Sequence, residues 1–262
     1  MNYCSFGLGL KVTFASVRFL YKTWGVFYHI YYFVIMAIII VLISPFIYFT
    51  SAKEERYPAF FRWSRIWARW VLRLMGYYRK TDKKYWLEKD QQYIIIANHA
   101  SELDIMMCLA IVPNCFVFIG KKELASLPLF GYFYKRTNIL VDRNSIASKR
   151  EVMIKARKKL ENGIGLCIFP EGGIPDPSFK MAPFKMGAFK LAIETGVPIL
   201  PITFPDNKKH FPDIFDGGYP GRLRATIHPA IETKNLTLTD LPKLKDKCFN
   251  LINDELTRYN GE

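Results

Sequence analysis

The sequence has few acidic residues for its size. Its 262 residues include 23 Asp and Glu against 37 Lys and Arg, which gives a formal net charge of +14. This shortage of negative charge predicts anionic partners: lipid headgroups, phosphates, an acidic carrier protein or nucleic acid. Nucleic acid is the weakest of these choices, because the chain opens with a long apolar stretch. We therefore expect no nucleic-acid partner.

Patterns typical of metal sites and of disulfide frameworks are also missing. The four histidines, at positions 29, 99, 210 and 228, include no pair at metal-ligand spacing. The five cysteines, at positions 4, 108, 115, 167 and 248, include no CxxC pair. We interpret them as reduced cysteines and predict no metal site. A metal-dependent hydrolase is therefore a poor interpretation, and metal analysis of the purified protein would test it.

What the chain does contain is a long apolar segment near its N terminus. Residues Val26–Thr50 include no Asp, Glu, Lys or Arg. A helix of this length can cross about 30 Å of hydrocarbon at about 1.5 Å per residue. It either spans the membrane or enters one leaflet and returns, since Ser44 and Pro45 are residues at which a helix can break. The alternative interpretation is a buried core helix.

A second amphipathic helix is predicted directly after this segment. Four arginines lie along one side of it: Arg62, Arg65, Arg69 and Arg73. Aromatic and leucine side chains lie on the opposite side: Phe60, Trp63, Trp67, Trp70 and Leu74. A basic stripe opposite a tryptophan-rich face is typical of a helix in the headgroup region of a membrane. The alternative is an amphipathic helix that packs on the rest of the protein.

Basic residues on either side of the apolar segment predict its orientation. Residues 1–25 carry Lys11, Arg18 and Lys22, whereas residues 51–80 carry eight Lys and Arg. The more positive side of a membrane protein normally faces the cytoplasm. We therefore predict a membrane-associated protein whose later, catalytic domain lies on the cytoplasmic face.

From about residue 85, short apolar runs alternate with longer amphipathic ones. Strands are predicted at 93–97, 116–119, 166–169, 199–203 and 223–228. Helices are predicted at 102–112, 146–161, 183–195 and 241–259. This alternation predicts an α/β layered domain at 81–262, with a largely parallel central sheet flanked by helices. Residues 1–80 form the predicted N-terminal pair of membrane-embedded or interfacial helices.

The segment from Asn98 to Asp104 carries the candidate catalytic residues. A strand ends at Ala97, Ser101 is a suitable N-cap, and Asp104 stands three residues later, where a capping-box acid belongs. This arrangement puts His99 in the turn, where its imidazole can meet the carboxylate. A histidine held by a carboxylate is a general base for an alcohol, so the nucleophile can be a substrate hydroxyl. The alternative is a helix-capping acid beside an ordinary turn histidine.

Four segments in order over roughly residues 95–203 resemble the blocks of the PlsC-type glycerolipid acyltransferase family, which includes the 1-acylglycerol-3-phosphate acyltransferases. Asn98, His99 and Asp104 resemble the NHxxxxD block. The other three blocks are similar to GKKEL through ILVDR at 120–143, FPEG at 169–172 and VPILP at 197–201.

The resemblance implies transfer of an acyl group from a thioester, acyl-ACP or acyl-CoA, to the hydroxyl of a lysolipid. These thioesters are co-substrates, and no cofactor is expected. By position in the blocks, His99 and Asp104 would be catalytic, while Lys121, Arg143, Glu171 and Gly172 would bind the acceptor, usually at a phosphate. The planar guanidinium of an arginine suits two phosphate oxygens. A glycine turn after a strand can expose backbone N–H groups to a ligand.

One block departs from the family pattern and leaves the acceptor headgroup open. The family usually continues Gly-Thr-Arg after the glutamate, but Gly173 and Ile174 follow Gly172 here. We expect 1-acyl-sn-glycerol-3-phosphate as acceptor, which gives phosphatidic acid in phospholipid biosynthesis, with Lys180 or Lys185 replacing the missing arginine. One alternative is O-acylation of a lyso-amino-acid lipid. An alternative of another class is a non-catalytic membrane lipid-binding protein on the same fold.

Overall fold

The computed structural model describes residues 14–142, 144–176, 178–212 and 217–260. Cys4, Lys11 and Arg143, which the sequence analysis uses, lie outside these residues. The helices are α1 Phe14–Ser51, α2 Tyr57–Leu74, α3 Leu103–Ile111, α4 Phe130–Thr137, α5 Ile146–Glu161, α6 Gly187–Thr195, α7 Asn207–His210 and α8 Leu241–Asn260. The strands are β1 Tyr77–Lys83, β2 Ile94–Ala97, β3 Phe116–Lys121, β4 Ile139–Val141, β5 Gly165–Ile168, β6 Ile199–Thr203 and β7 Gly221–Ile227. Short 3-10 turns occupy Glu54–Arg56, Lys122–Ser126 and Leu238–Asp240.

All seven strands form one sheet in the order β1-β7-β6-β2-β5-β3-β4. Neighbouring strands are parallel except for β6 and β7, which are antiparallel. The residues of β2 and β6 are all buried, as expected for central strands that are covered on both faces. The predicted α/β domain with a largely parallel sheet flanked by helices is confirmed.

The five predicted strands are all present, and the two edge strands were not predicted. Strand β1 has the polar sequence YYRKTDK, and only its first residue is buried. Strand β4 has three residues, which is too short to produce a periodic pattern. Strand β1 also crosses the predicted boundary between residues 80 and 81, so its first residues belong to the sheet. The division into two domains itself stays a prediction.

Helices pack on the sheet in two groups. Helices α5, α6 and α8 contact one another in a row and also contact β5, β2 and β6. Helix α2 contacts α1, α3 and β1. The four helices predicted in the later domain are confirmed, with ends that differ by a few residues, whereas α4 was not predicted.

Helix α1 packs along one side and leaves the other side exposed. The hydroxyl of Tyr28 donates to the carbonyl of Met75 at 2.9 Å, and further along Phe46 stacks on Trp63 at 4.3 Å between ring centroids. Residues 16–51 are long and apolar enough to cross a membrane by length and composition. Since the contacts with the rest of the protein extend along the helix, its exposed apolar face is the part available to lipid.

Helix α2 is packed on the domain, which favours the second interpretation of its sequence. Arg65 Nε donates to the carbonyl of Leu109 at 3.2 Å, and Arg69 donates to the carbonyl of Ala110 at 3.1 and 3.2 Å. Two arginines of the basic stripe therefore lie at the C-terminal end of α3, where a helix dipole favours cations. Trp67 on the other side is buried. Arg65, Arg69 and Trp67 therefore pack as the alternative interpretation expects, while the position of α2 at the headgroup region stays a prediction.

A matched pair of leucines on α2 tests this packing. Leu72 is fully buried and Leu74 is 45% exposed. We expect Leu72→Ala to lower the free energy of unfolding by about 2–5 kcal/mol, because it leaves a cavity between packed elements. We expect Leu74→Ala to change it by less than about 0.5 kcal/mol. Denaturant unfolding in a neutral detergent measures both, and equal effects would contradict the packed position of α2.

Candidate active site

The candidate catalytic segment directly follows β2 and therefore lies at the carboxyl edge of the sheet. Strand β2 lies between the parallel strands β5 and β6. Immediately after it, the Asn98 side-chain amide donates to the carbonyl of Phe204 at 3.0 Å, and its oxygen accepts from the Phe204 N–H at 2.8 Å. This pair of hydrogen bonds fixes the end of β2 against the end of β6, so the following turn starts from a rigid position.

Ser101 and Asp104 are joined through hydrogen bonds in this turn, although the N-cap of α3 is Glu102 and not the predicted Ser101. Ser101 Oγ accepts from the Leu103 N–H at 3.2 Å, and Asp104 Oδ2 accepts from the Ser101 N–H at 2.9 Å. The same carboxylate oxygen accepts from the Ala100 N–H at 2.6 Å. The carboxylate of Asp104 thus accepts hydrogen bonds from backbone N–H groups at the start of α3, as a capping acid does. These hydrogen bonds hold the turn in one conformation.

His99 and Asp104 meet in this turn, as predicted. Nδ1 of His99 lies 3.0 Å from Oδ2 of Asp104, whose side chain is fully buried. An ionised carboxylate only accepts hydrogen bonds, so Nδ1 carries the proton and Nε2 keeps its lone pair. The imidazole stacks on Phe169 at 4.0 Å between centroids and is 12% exposed. The arrangement can therefore take a proton from a hydroxyl that approaches Nε2.

Glu171, shortly after the end of β5, is hydrogen-bonded to the same turn. Its Oε1 accepts from the backbone N–H of His99 at 2.7 Å, and its Oε2 accepts from the N–H of Ala182 at 2.6 Å. Burial raises the pKa of its carboxyl to about 7, and the two N–H donors oppose that rise. Both oxygens thus contact backbone, so Glu171 positions His99 and the loop. Its predicted contact with the acceptor stays a prediction.

The backbone conformation of Gly172 favours glycine, and a lysine side chain lies beside it. The φ of Gly172 is +81°, a conformation that favours glycine. A side chain at this position would also collide with Nζ of Lys185. The N–H of Lys185 donates to the carbonyl of Pro170 at 2.8 Å, which fixes this lysine beside the loop. The positive charge of Lys185 therefore lies beside the loop that lacks the family's arginine.

The other residues that are predicted to bind the acceptor lie in different parts of the structure. Lys121 ends β3 and is exposed at the same carboxyl edge of the sheet as His99. Lys180 donates to the carbonyl of Asn253 and to Oγ1 of Thr257, so it is bound to α8. Of the two lysines proposed to replace the missing arginine, the structure therefore brings Lys185 to the loop.

Asn207 is the residue at this site that sequence reasoning missed. It is fully buried at the start of α7, and its side-chain amide donates to Asp104 Oδ1 at 2.7 Å. The two residues are 103 positions apart, and an asparagine after a strand gives no signal of such a contact. The stacking of Phe169 on His99 was missed in the same way, although the sequence analysis includes Phe169 in a block.

Comparisons with known proteins agree with this geometry. Residues 78–205 match the family model described as Acyltransferase. The chain is 31% identical over 165 residues to 1-acyl-sn-glycerol-3-phosphate acyltransferase alpha of Mus musculus, covering 60% of this chain and 55% of that protein. It is 29% identical over 171 residues to 1-acyl-sn-glycerol-3-phosphate acyltransferase of Haemophilus influenzae, covering 64% and 70%. The chain thus spans little more than half the length of the mouse relative.

One solved structure shares the fold over nearly its whole length. It is the crystal structure of the 1-acyl-sn-glycerophosphate (LPA) acyltransferase PlsC from Thermotoga maritima, with a TM-score of 0.77 and 22% identity, covering 92% of this chain and 98% of that chain. The matched family model and these relatives make the chain similar to acyltransferases. Within that class, it resembles the PlsC-type glycerolipid acyltransferases.

The raised pKa of Glu171 predicts how stability depends on pH. Its carboxyl has a pKa of about 7 in the folded protein, against an ordinary value of 4.5. The contribution of the Glu171 carboxyl to the free energy of unfolding is therefore fully present below pH 4.5. It is lost as the pH rises through about 7, and the loss is at most about 3 kcal/mol. We expect the stability advantage of wild type over Glu171→Gln to shrink between about pH 5 and about pH 8.

Thermal unfolding at a series of pH values measures this difference. Glu151→Gln is the control, because Glu151 is exposed and the pKa of its carboxyl is lowered by a hydrogen bond from Lys155. The difference between wild type and Glu151→Gln should stay constant over the same range. A constant difference for Glu171→Gln as well would contradict the raised pKa.

Proposed function

We propose that this chain transfers a fatty acyl group from an acyl thioester to the free hydroxyl of a lysolipid. The observation that carries the proposal is the His99–Asp104 pair, which is held at 3.0 Å at the carboxyl edge of the sheet. A base in this position activates a substrate hydroxyl, so the reaction needs no enzyme nucleophile. The match of residues 78–205 to the Acyltransferase family model supports the same reaction.

Each step follows from the atoms in the site. Nε2 of His99 takes the proton of the acceptor hydroxyl while Asp104 stabilises the imidazolium. The hydroxyl oxygen attacks the thioester carbonyl and forms a tetrahedral intermediate. The carbon–sulfur bond then breaks, and the proton on His99 passes to the departing thiolate. The products are an ester and a free thiol. The donor is acyl-ACP or acyl-CoA, and the basic surface suits the acidic carrier and the phosphates of coenzyme A equally.

We propose 1-acyl-sn-glycerol-3-phosphate as the acceptor, with phosphatidic acid as the product in phospholipid biosynthesis. The similarity to 1-acyl-sn-glycerol-3-phosphate acyltransferases of mouse and Haemophilus influenzae supports this choice. Lys121, Lys185 and Arg143 are the basic residues assigned to the acceptor phosphate. A lyso-amino-acid lipid is the second candidate, because Gly173 and Ile174 replace the residues that usually follow the family's Glu-Gly.

We also propose that the protein works at a membrane, with the catalytic domain on the cytoplasmic face. The apolar helix α1, which exposes large hydrophobic side chains along one side, supports membrane association. The excess of basic residues after this helix supports the orientation. Membrane lipids then supply the acceptor directly to the site.

Removal of the candidate base tests the reaction. We expect His99→Ala to lower kcat by at least about 10²-fold without unfolding the protein, because it removes the group that accepts the proton. Asp104→Asn should lose a large part of the rate as well, since it disturbs the imidazole tautomer. His228→Asn is the control, because His228 is a buried histidine beside Thr203, outside the site. Near-normal thiol release by folded His99→Ala would rule out this mechanism, whereas no thiol release by the wild-type protein would favour a non-catalytic lipid-binding protein.

The acceptor is tested with a matched pair of lysines. We expect Lys185→Gln to raise KM for lysophosphatidate about ten- to a hundred-fold, because it removes one charge-assisted contact to phosphate, and to affect monoacylglycerol far less. Lys180→Gln should change neither, since Lys180 is bound to α8. The measurement is kcat/KM for lysophosphatidate, a lyso-amino-acid lipid and monoacylglycerol of equal chain length. A clear preference for the amino-acid lipid would overturn the choice of acceptor and leave the acyl transfer intact.

A further inference from the structure

A cleft of about 590 Å³ lies between the end of α2 and the start of β1. Its lining combines three arginines with three aromatic side chains: Arg69, Arg73, Arg79, Trp70, Tyr77 and Tyr78. None of these residues belongs to the site around His99. The cleft is therefore a separate surface, and neither the proposed reaction nor its substrates account for its composition.

The charges in this cleft all have the same sign. Its lining includes no carboxylate, and within the described residues no Asp or Glu lies within 4.0 Å of the guanidinium groups of Arg69, Arg73 or Arg79. Burial, followed by repulsion from Arg69, lowers the pKa of the nearby Arg65 to about 10. Like charges that are gathered without a counter-charge repel one another, so an anion that binds among them is strongly favoured.

Hydrogen bonds to the protein hold two of the three arginines in place, and the side chain of the third is available to bind a ligand. Arg69 donates twice to the carbonyl of Ala110, and Nη1 of Arg79 donates to the same oxygen at 3.4 Å. These bonds hold both guanidinium groups at the cleft. The Arg73 side chain makes no hydrogen bond or ion pair to any residue in the described ranges. The carbonyl of Ala110 is shared by two of the three arginines that line the cleft, whereas a phosphate with several oxygens offers acceptors to all three.

The position of the cleft indicates where its anion comes from. The hydroxyl of Tyr31 in α1 donates to the carbonyl of Leu74 at 3.1 Å, at the end of α2 beside the cleft. Tyr31 belongs to the aromatic end of the apolar segment, and aromatic residues of this kind lie at the headgroup level of a membrane. Trp70 and Tyr78, in the cleft itself, are 52% and 62% exposed. The cleft therefore lies beside the aromatic end of the apolar segment, and an aromatic end of this kind favours the headgroup level of a membrane.

We propose that this cleft binds the phosphate of an anionic membrane phospholipid, at a site separate from the acceptor site. The arginines bind the phosphate oxygens, and the exposed aromatic rings lie among the neighbouring headgroups and upper acyl chains. The site would anchor the α2–β1 junction to anionic regions of the membrane. This inference does not depend on the proposed acyl transfer, because its lining and its test are independent of the catalytic residues.

The test is ligand-induced stabilisation of the full chain in a neutral detergent. Short-chain phosphatidylglycerol should raise the melting temperature, because a ligand that binds only the folded state stabilises it. Phosphatidylcholine of the same chain length and inorganic phosphate should raise it much less. Arg73→Gln should weaken the apparent affinity for phosphatidylglycerol about ten-fold or more, by loss of one charge-assisted contact. Arg62→Gln, on the same helix but outside the cleft, is the matched control and should bind as wild type does.

Several results would overturn the proposal. If Arg73→Gln and Arg62→Gln bind phosphatidylglycerol equally well, the cleft is not the site. If Lys185→Gln removes the stabilisation and Arg73→Gln does not, the lipid occupies the acceptor site. If inorganic phosphate or an acidic carrier protein stabilises the protein as strongly as the lipid does, the ligand is not a membrane phospholipid. Loss of stabilisation in Arg73→Gln alone supports the assignment, whether or not the protein shows acyl transfer.

Discussion

The buried carboxylate of Asp104 organises the candidate active site. One of its oxygens faces Nδ1 of His99 and the N–H groups of Ala100 and Ser101, and the other accepts from Asn207. A charge that is removed from water is tolerated only when such donors replace the lost hydration. The same four donors fix the turn after β2, the first turn of α3 and the start of α7. Catalytic geometry and local stability therefore depend on one group.

The segment Asn207–Phe211 connects this carboxylate to the apolar helix α1. At one end, Asn207 holds Asp104; at the other, the carbonyl of Phe211 accepts from Ser101 Oγ at 2.6 Å. The ring of Phe211 stacks on His29 of α1 at 4.1 Å between centroids. The face that would meet lipid and the site that would perform chemistry are therefore packed on the same short segment. A helix that served only as a tether would not need these contacts.

The large excess of positive charge is divided between two surfaces with different surroundings. Lys185 lies against Gly172 beside the catalytic turn, where an acceptor phosphate would compensate for the arginine that the loop lacks. Arg69, Arg73 and Arg79 line a second cleft at the level of the aromatic end of α1. Composition predicts that the protein meets anions, but the separation of Lys185 from the arginine-lined cleft depends on where the chain folds these residues.

The sequence by itself determined the central strands, the apolar helix and the meeting of His99 with Asp104, because each rests on periodicity or on residues five positions apart that share one capped turn. It did not predict β1, whose polar edge sequence carries no pattern, nor the contact of Asn207 with Asp104. It left open whether the arginines of α2 meet lipid headgroups or the rest of the protein, and Arg65 and Arg69 lie on the carbonyls of α3. Only the tertiary structure decided these contacts, because sequence periodicity shows which side of a helix is polar and cannot show which partner that side will meet.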